Sequence, residues 1–186
     1  MPEIAGLVLA AGAGRRYGMP KALVRYQGQL FVERTVHVLE RAGCSPVIAV
    51  LGAQADEVRS LLPDLNAVDN PDWPAGMGSS LRVGLKALPD LESVVVLPVD
   101  TPGVTAGAVR RLMARSSPKA LLRAGYEGEP GHPVLIGHDH WAGVYALATG
   151  DAGAREYLRR NRPETVPCGD ISDGRDVERP ADLPPS

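Results

Sequence analysis

The chain has 186 residues, 44% of them hydrophobic, and sets 20 basic against 22 acidic side chains for a formal net charge of −2. That is enough for one domain with a full core and too balanced to create a global field for nucleic acid, so any anion site must be a local cluster. No apolar stretch approaches the roughly 18 residues of a membrane span, and Met1 leads into a strand-like run without a signal pattern, so a cytoplasmic protein without membrane or nucleic-acid partners is expected.

Residues 4–9 form a continuous apolar run that reads as a buried strand, and residues 30–42 carry Phe31, Val36, Val38 and Leu39 at helical spacing before a stop at Gly43. A second strand follows at 46–51, a short helix at 55–62, a weak strand at 67–70 and a helix at 79–88. "SVVVLPV" (93–99) is the strongest strand signal, followed by a helix over about 105–116. Strands without polar alternation, separated by helices, predict an α/β fold with a mostly parallel sheet covered on both faces. After Lys119 the rhythm changes: "KALLRAGYEG" and "HPVLI" read as consecutive strands, a small antiparallel excursion, before a helix over 152–160. Residues 1–186 read as one domain, with about 179–186 a proline-rich and loosely held tail. Cys44 and Cys168 lie far apart without Cys-x-x-Cys spacing, which excludes a disulfide framework and a zinc site.

The loop in "LVLAAGAGRRYGMPKAL" (7–23) fits neither common phosphate-binding template. Gly12, Gly14 and Gly18 are spaced G-x-G-x-x-x-G rather than G-x-G-x-x-G, and Met19 and Pro20 separate Gly18 from Lys21, with no Ser or Thr following. What both templates share is nevertheless present. Glycines after a buried strand let backbone N–H groups approach a phosphate chain, and Arg15, Arg16 and Lys21 supply charge. The alternative is a solvated surface turn. Asp100 in "LPVDTPGV" ends the most buried strand on the same sheet edge, where it either holds Mg²⁺ beside phosphates or fixes the turn before Pro102. No Ser-His-Asp or Cys-His arrangement is evident. His138 and His140 in "GHDHW" lack a further ligand set and read as loop surface. Asp151 in "GDAGAR" reads as a helix N-cap.

"LAAGAGRRYGMPK" resembles the signature L-A-A-G-x-S-x-R-M-G-x-x-K of molybdenum cofactor nucleotidyltransferases, and "PVDTP" resembles their metal-binding strand end. "NPDWPAGMGSSLRVGL", "GHPVL", "GDAGAREYL" and "DVERPADL" continue the likeness in order, closest to the cytidylyltransferase branch, over essentially the whole chain. The resemblance implies a three-layer Rossmann-like fold. It places Leu9, Ala10, Ala11, Gly12, Gly14 and Gly18 along a nucleotide, Arg16 and Lys21 on its phosphates, and Asn70, Gly78, Ser79 and Ser80 near base or acceptor. Asp100 would hold Mg²⁺, and His132 and Arg155 would belong to the acceptor pocket. The family's Ser and Met are Gly14 and Tyr17 here, taken as a trimmed hydroxyl and changed packing. Its closing D-I-D-T-P-x-D-L is replaced by "DVERPADL", so the second metal ligand is either Glu178 or Asp176; in the second case Glu178 is expected to pair with Arg175 or Arg179.

The implied reaction is attack by an acceptor phosphate, molybdopterin's, on the α-phosphorus of an NTP, with pyrophosphate leaving and Arg16, Lys21 and Asp100 as the catalytic set. Ala11, where the guanylyltransferase branch has glycine, favours CTP over GTP. A guanylyltransferase of the same pathway, a sugar-phosphate or other small-acceptor enzyme, and a non-catalytic nucleotide sensor or cofactor-insertion chaperone remain as alternatives. Molybdoenzyme apoproteins are the implied protein partners.

Overall fold

The computed structural model describes residues 3–185; Met1, Pro2 and Ser186, the last residue of the expected tail, lie outside the described residues. Its strands are Ile4–Ala10 (β1), Arg25–Tyr26 (β2), Gln29–Leu30 (β3), Val47–Leu51 (β4), Ala67–Asp69 (β5), Ser93–Pro98 (β6), Leu121–Tyr126 (β7), Glu129–Gly137 (β8) and Glu164–Pro167 (β9). The helices are Phe31–Ala42 (α1), Ala55–Leu61 (α2), Met77–Ala87 (α3), Ala106–Met113 (α4), Trp141–Leu147 (α5) and Arg155–Asn161 (α6).

Seven strands form one sheet in the order β5-β4-β1-β6-β8-β7-β9, parallel throughout except for β8, which runs against both β6 and β7. This is the expected α/β fold with its antiparallel excursion. β1, β4 and β6 are buried at every residue, as strands covered on both faces must be. One face packs on α1, α2 and α4 through Phe31, Leu39, Val58, Val109 and Leu112. The other packs on α3, α5 and α6 through Leu81, Leu85, Val144 and Leu158. The chain moves from β1 outward to β4 and β5, then returns to place β6 on the other side of β1. The carboxyl ends of β1 and β6 are thus the switch point of an open α/β sheet, where a crevice is built into the topology.

Several elements depart from the expectations. A short hairpin, β2–β3, turns through Gln27 and Gly28, both at positive φ. α3 starts at Met77 rather than 79 because Gly76, at φ 109°, makes the bend. "WAGVYAL" is a helix, α5, too short for its periodicity to stand out. The expected helix over 152–160 is a 3-10 turn, Gly150–Ala152, followed by α6. The tail is pinned rather than loose: Asp182 accepts the N–H groups of Glu178 and Arg179, Leu183 packs on the core, and the Pro185 carbonyl accepts from Tyr26. No described helix is long and apolar enough to cross a membrane.

Candidate active site

β1 and β6 end side by side, Leu9 opposite Pro98, and a loop follows each. The first loop turns on a 2.8 Å hydrogen bond from the Gly18 N–H to the Gly14 carbonyl. Gly14 has φ +64°, and a Cβ there would overlap the carbonyl oxygen of Met19. The reading of Gly14 as merely a trimmed serine is therefore corrected: left-handed backbone and the close Met19 carbonyl together require glycine. Gly12 has open space beside it and lines a cleft, so a ligand can approach its backbone. Arg15 and Arg16 are exposed. Lys21 opens a 3-10 turn, Lys21–Leu23, anchored by buried Ala22 and Leu23. Its side chain is only 19% exposed, and Nζ donates to Asp100 Oδ2 at 3.3 Å.

After β6, the Asp100 carbonyl accepts the Val177 N–H at 2.7 Å, and Val177 is buried. That bond lays residues 176–178 across the strand end. Asp176 shares a cleft with Asp100. Burial pushes its carboxyl up, Asp100 and Glu178 push the same way, and Lys21 pulls it down. Glu178 is held elsewhere, since Arg16 Nη1 donates to its Oε2 at 3.0 Å. The partner of Glu178 is therefore Arg16, not Arg175 or Arg179, and the carboxylate beside Asp100 is Asp176. Among the described residues no group of three or more His, Cys, Asp or Glu could hold a metal ion. A pair of hard oxygen donors beside a basic loop still suits an ion such as Mg²⁺, which keeps waters and takes phosphate oxygens as ligands.

Three clefts of about 420, 190 and 240 Å³ meet at Leu9 and Met77. The first runs along Ala11, Gly12 and Gly14 to Trp73, Ser80 and Asp151. The second holds Ala10, Lys21 and Asp100. The third contains Asp100, Asp176, Arg123, His132 and Arg155 over an apolar wall. Burial pushes the His132 imidazole down to about 4, with Asp100 opposing and Arg123 adding to the shift, so the ring is neutral at pH 7.

Some expected ligand residues are spent on the fold. Asn70 is 1% exposed; its Nδ2 donates to Ser79 Oγ at 2.8 Å and Ser80 Oγ at 2.9 Å, and its Oδ1 accepts the Asp72 N–H. The Ser79 hydroxyl lies against the carbonyls of Asp72 and Gly76. Gly78 is buried against the backbone of Ala148 and Thr149. These three brace the start of α3, and Ser80 alone of the set lines a cleft. Gly18 serves the loop turn. Asp151 does not cap α6, whose N-cap is Ala154; its Oδ1 packs beside Gly76 at the junction of two clefts. His138 and His140 are structural, the first on Asp90 and the second between Tyr157 and the Lys119 carbonyl. Sequence reasoning missed Trp73, Met77 and Arg123, although an arginine inside the apolar run "KALLRAGY" was a visible signal.

Comparison with known proteins gives the geometry a lineage. Residues 6–166 match the MobA-like NTP transferase domain family. The chain is 37% identical to the nicotine blue oxidoreductase of Paenarthrobacter nicotinovorans, over 96% of this chain and 93% of that one. It is 30% identical to a probable molybdenum cofactor guanylyltransferase of Bacillus cytotoxicus, over 60% of this chain and 56% of that protein. Among solved structures, Rv0371c of Mycobacterium tuberculosis superposes with a TM-score of 0.80 at 26% identity, covering 95% of this chain and 94% of that one; a further structure of that protein is a manganese complex. With the match spanning nearly all of the sheet and both loops of the crevice, the chain belongs to the MobA-like NTP transferase domain family.

Proposed function

We propose that the chain transfers a nucleoside monophosphate from an NTP, CTP in preference to GTP, to a phosphorylated acceptor of the molybdopterin kind, releasing pyrophosphate. The observation that carries this reading is the meeting of Lys21, Asp100 and Asp176 at the switch point, between a glycine loop and a partly apolar cleft. Asp100 and Asp176 would hold a divalent cation, Mg²⁺ in this reading, which when bound neutralises charge on phosphate oxygens. The N–H groups of the loop and Arg16 bind the triphosphate. Lys21 is held where charge grows on the leaving pyrophosphate, and its partial burial makes that charge count for more than it would in water. The attacking phosphate monoester has a second pKa near about 6 and is largely dianionic at neutral pH, so no general base is required. His132, neutral at that pH, orients rather than deprotonates. A cytoplasmic setting and hand-off to molybdoenzyme apoproteins complete the reading.

The test is pyrophosphate release from each of the four NTPs, with and without molybdenum cofactor, and with Mg²⁺ present or chelated. Acceptor-dependent release with CTP is expected, falling by roughly two to three orders of magnitude in Lys21→Ala, the size typical of losing one electrostatic stabiliser. Release with GTP or a sugar phosphate would move the substrate within the family. Absence of release with every pair would leave a nucleotide sensor or insertion chaperone.

A second reading, an oxidoreductase, is favoured by the 37% identity to the nicotine blue oxidoreductase over 96% of this chain. It predicts redox turnover of nicotine blue in the same preparation, without pyrophosphate release.

A further inference from the structure

Arg123 lies in the middle of β7, paired with Val134 of β8 on one side and Thr165 of β9 on the other, so its backbone is held from both edges. It occupies the same face as Leu121, the face covered by α3, α5 and α6. A cation on that face is out of keeping with its neighbours. Its Nε is buried without a hydrogen-bond acceptor, and burial pulls its pKa down. Among the described residues it joins no ion pair, although Asp100 and Asp176 border the same cleft; Asp100 is instead engaged by Lys21. An Arg Nε–H taken out of water without an acceptor lowers stability, and the group that repairs it is a planar or tetrahedral oxyanion able to accept from Nε and a neighbouring Nη together.

The rest of the cleft says what carries that anion. Beside the polar end formed by Arg123, His132 and Asp100, the wall of this 240 Å³ space is apolar, made by Leu81, Val96 and Ile136. We propose that Arg123 is an acceptor-binding residue, receiving a phosphate monoester part of whose body packs on that apolar wall. The proposal rests on the transferase reading above. Arg123 then holds the attacking phosphate beside the Asp100–Asp176 pair. An oxygen of that phosphate forms the new bond to the α-phosphorus, the bond from the α-phosphorus to its bridging oxygen breaks, and the electron pair leaves on pyrophosphate. Arg123 contributes charge and orientation, and gives up no proton.

Binding without turnover tests this independently of the reaction. The full-length protein is titrated calorimetrically with phenyl phosphate and with inorganic phosphate, in the absence of nucleotide and metal. Wild type should bind phenyl phosphate at least tenfold more tightly than inorganic phosphate, because only the ester uses the apolar wall. Arg123→Gln and Arg123→Met should each weaken phenyl phosphate at least tenfold, Arg123→Lys should recover part of the loss, and Arg59→Ala, which removes a half-exposed arginine of α2 paired with Asp69 away from this cleft, should stay within about threefold of wild type. Arg123→Met should also melt at or above the wild-type temperature, because it removes a buried Nε–H that has no acceptor from a half-buried side chain and puts an apolar one against the same wall. The proposal is overturned if wild type does not distinguish the two probes, if Arg59→Ala loses binding as the Arg123 variants do, or if Arg123→Met unfolds several degrees earlier while retaining phenyl phosphate. Failure of pyrophosphate release with phenyl phosphate binding intact would overturn the transferase reading and leave the anion site standing.

Discussion

Gly14 and Asp176 show how single positions set the properties of the crevice. At Gly14 the backbone is left-handed and the Met19 carbonyl occupies the space a Cβ would take. Gly14→Ser, which restores the residue of the related signature, should cost about 1–3 kcal/mol, a drop of roughly 3–10 °C in Tm for a chain of this size, and should raise KM for the nucleotide. Gly14→Ala should behave alike, since the Cβ and not the hydroxyl is at fault; a neutral serine variant in a melting scan would mean that the loop takes another path. The two carboxylates of "DVE" separate by partner. Asp176 shares the cleft with Asp100, whereas Glu178 is tied to Arg16 in an exposed pair. In Mg²⁺ titrations of turnover, Asp176→Asn should therefore need far more metal, and Glu178→Gln should saturate like wild type, because an exposed pair contributes at most about 1 kcal/mol. The reverse order of sensitivity would transfer the ligand role to Glu178.

Helix α3 is the element on which the site's shape depends. Gly76 caps its start and Gly78 lies in its first turn, and the chain at 148–151 presses directly onto both. A Cβ on Gly78 would lie 2.6 Å from the Thr149 nitrogen, and backbone cannot move aside as a flexible side chain can. Gly78→Ala should thus destabilise by about 1–3 kcal/mol despite its better helix propensity. It should also displace Asp151, which borders both clefts, and so raise KM for acceptor and nucleotide alike. Measured by urea unfolding and steady-state kinetics, a variant of unchanged stability with only its nucleotide KM raised would restore Gly78 to the ligand contacts.

Across the whole molecule, the layer that covers one face of the sheet with α1, α2 and α4 buries both cysteines. Cys44 packs against Met113, and burial pushes its thiol up to about 12. Burial also raises Cys168, with Arg111 pulling the other way. Native protein at pH 8 should therefore leave both thiols unlabelled by a disulfide reagent until denaturant unfolds it; rapid labelling without denaturant would contradict the burial. The sign of the pH effect follows. An unfolded Cys44 ionises near 9 while the folded one holds its proton to about 12, so its contribution to stability is complete below 9 and declines as pH rises through that window.

The alternation of apolar runs and helical periods by itself determined the α/β class, the parallel core and the antiparallel excursion, because strands buried on both faces lose their polar alternation wherever they occur. The placement of the glycine loop and Asp100 on one sheet edge was equally legible, since both follow directly from strands whose ends were clear. Tertiary structure alone decided the rest. Asp176 and Glu178 differ by two positions in one segment, and only the hydrogen bond from Val177 to the Asp100 carbonyl sends one into the cleft and the other to Arg16. Asn70 and Ser79 were expected as ligands from the resemblance alone, and a motif reads the same whether it meets a substrate or braces a helix; the folded hydrogen bonds among Asn70, Asp72, Gly76, Ser79 and Ser80 make the difference. Arg123 was passed over for the converse reason. Its significance is the absence of a partner, and an unpaired charge can be recognised only after the surrounding chain has folded and left it without one.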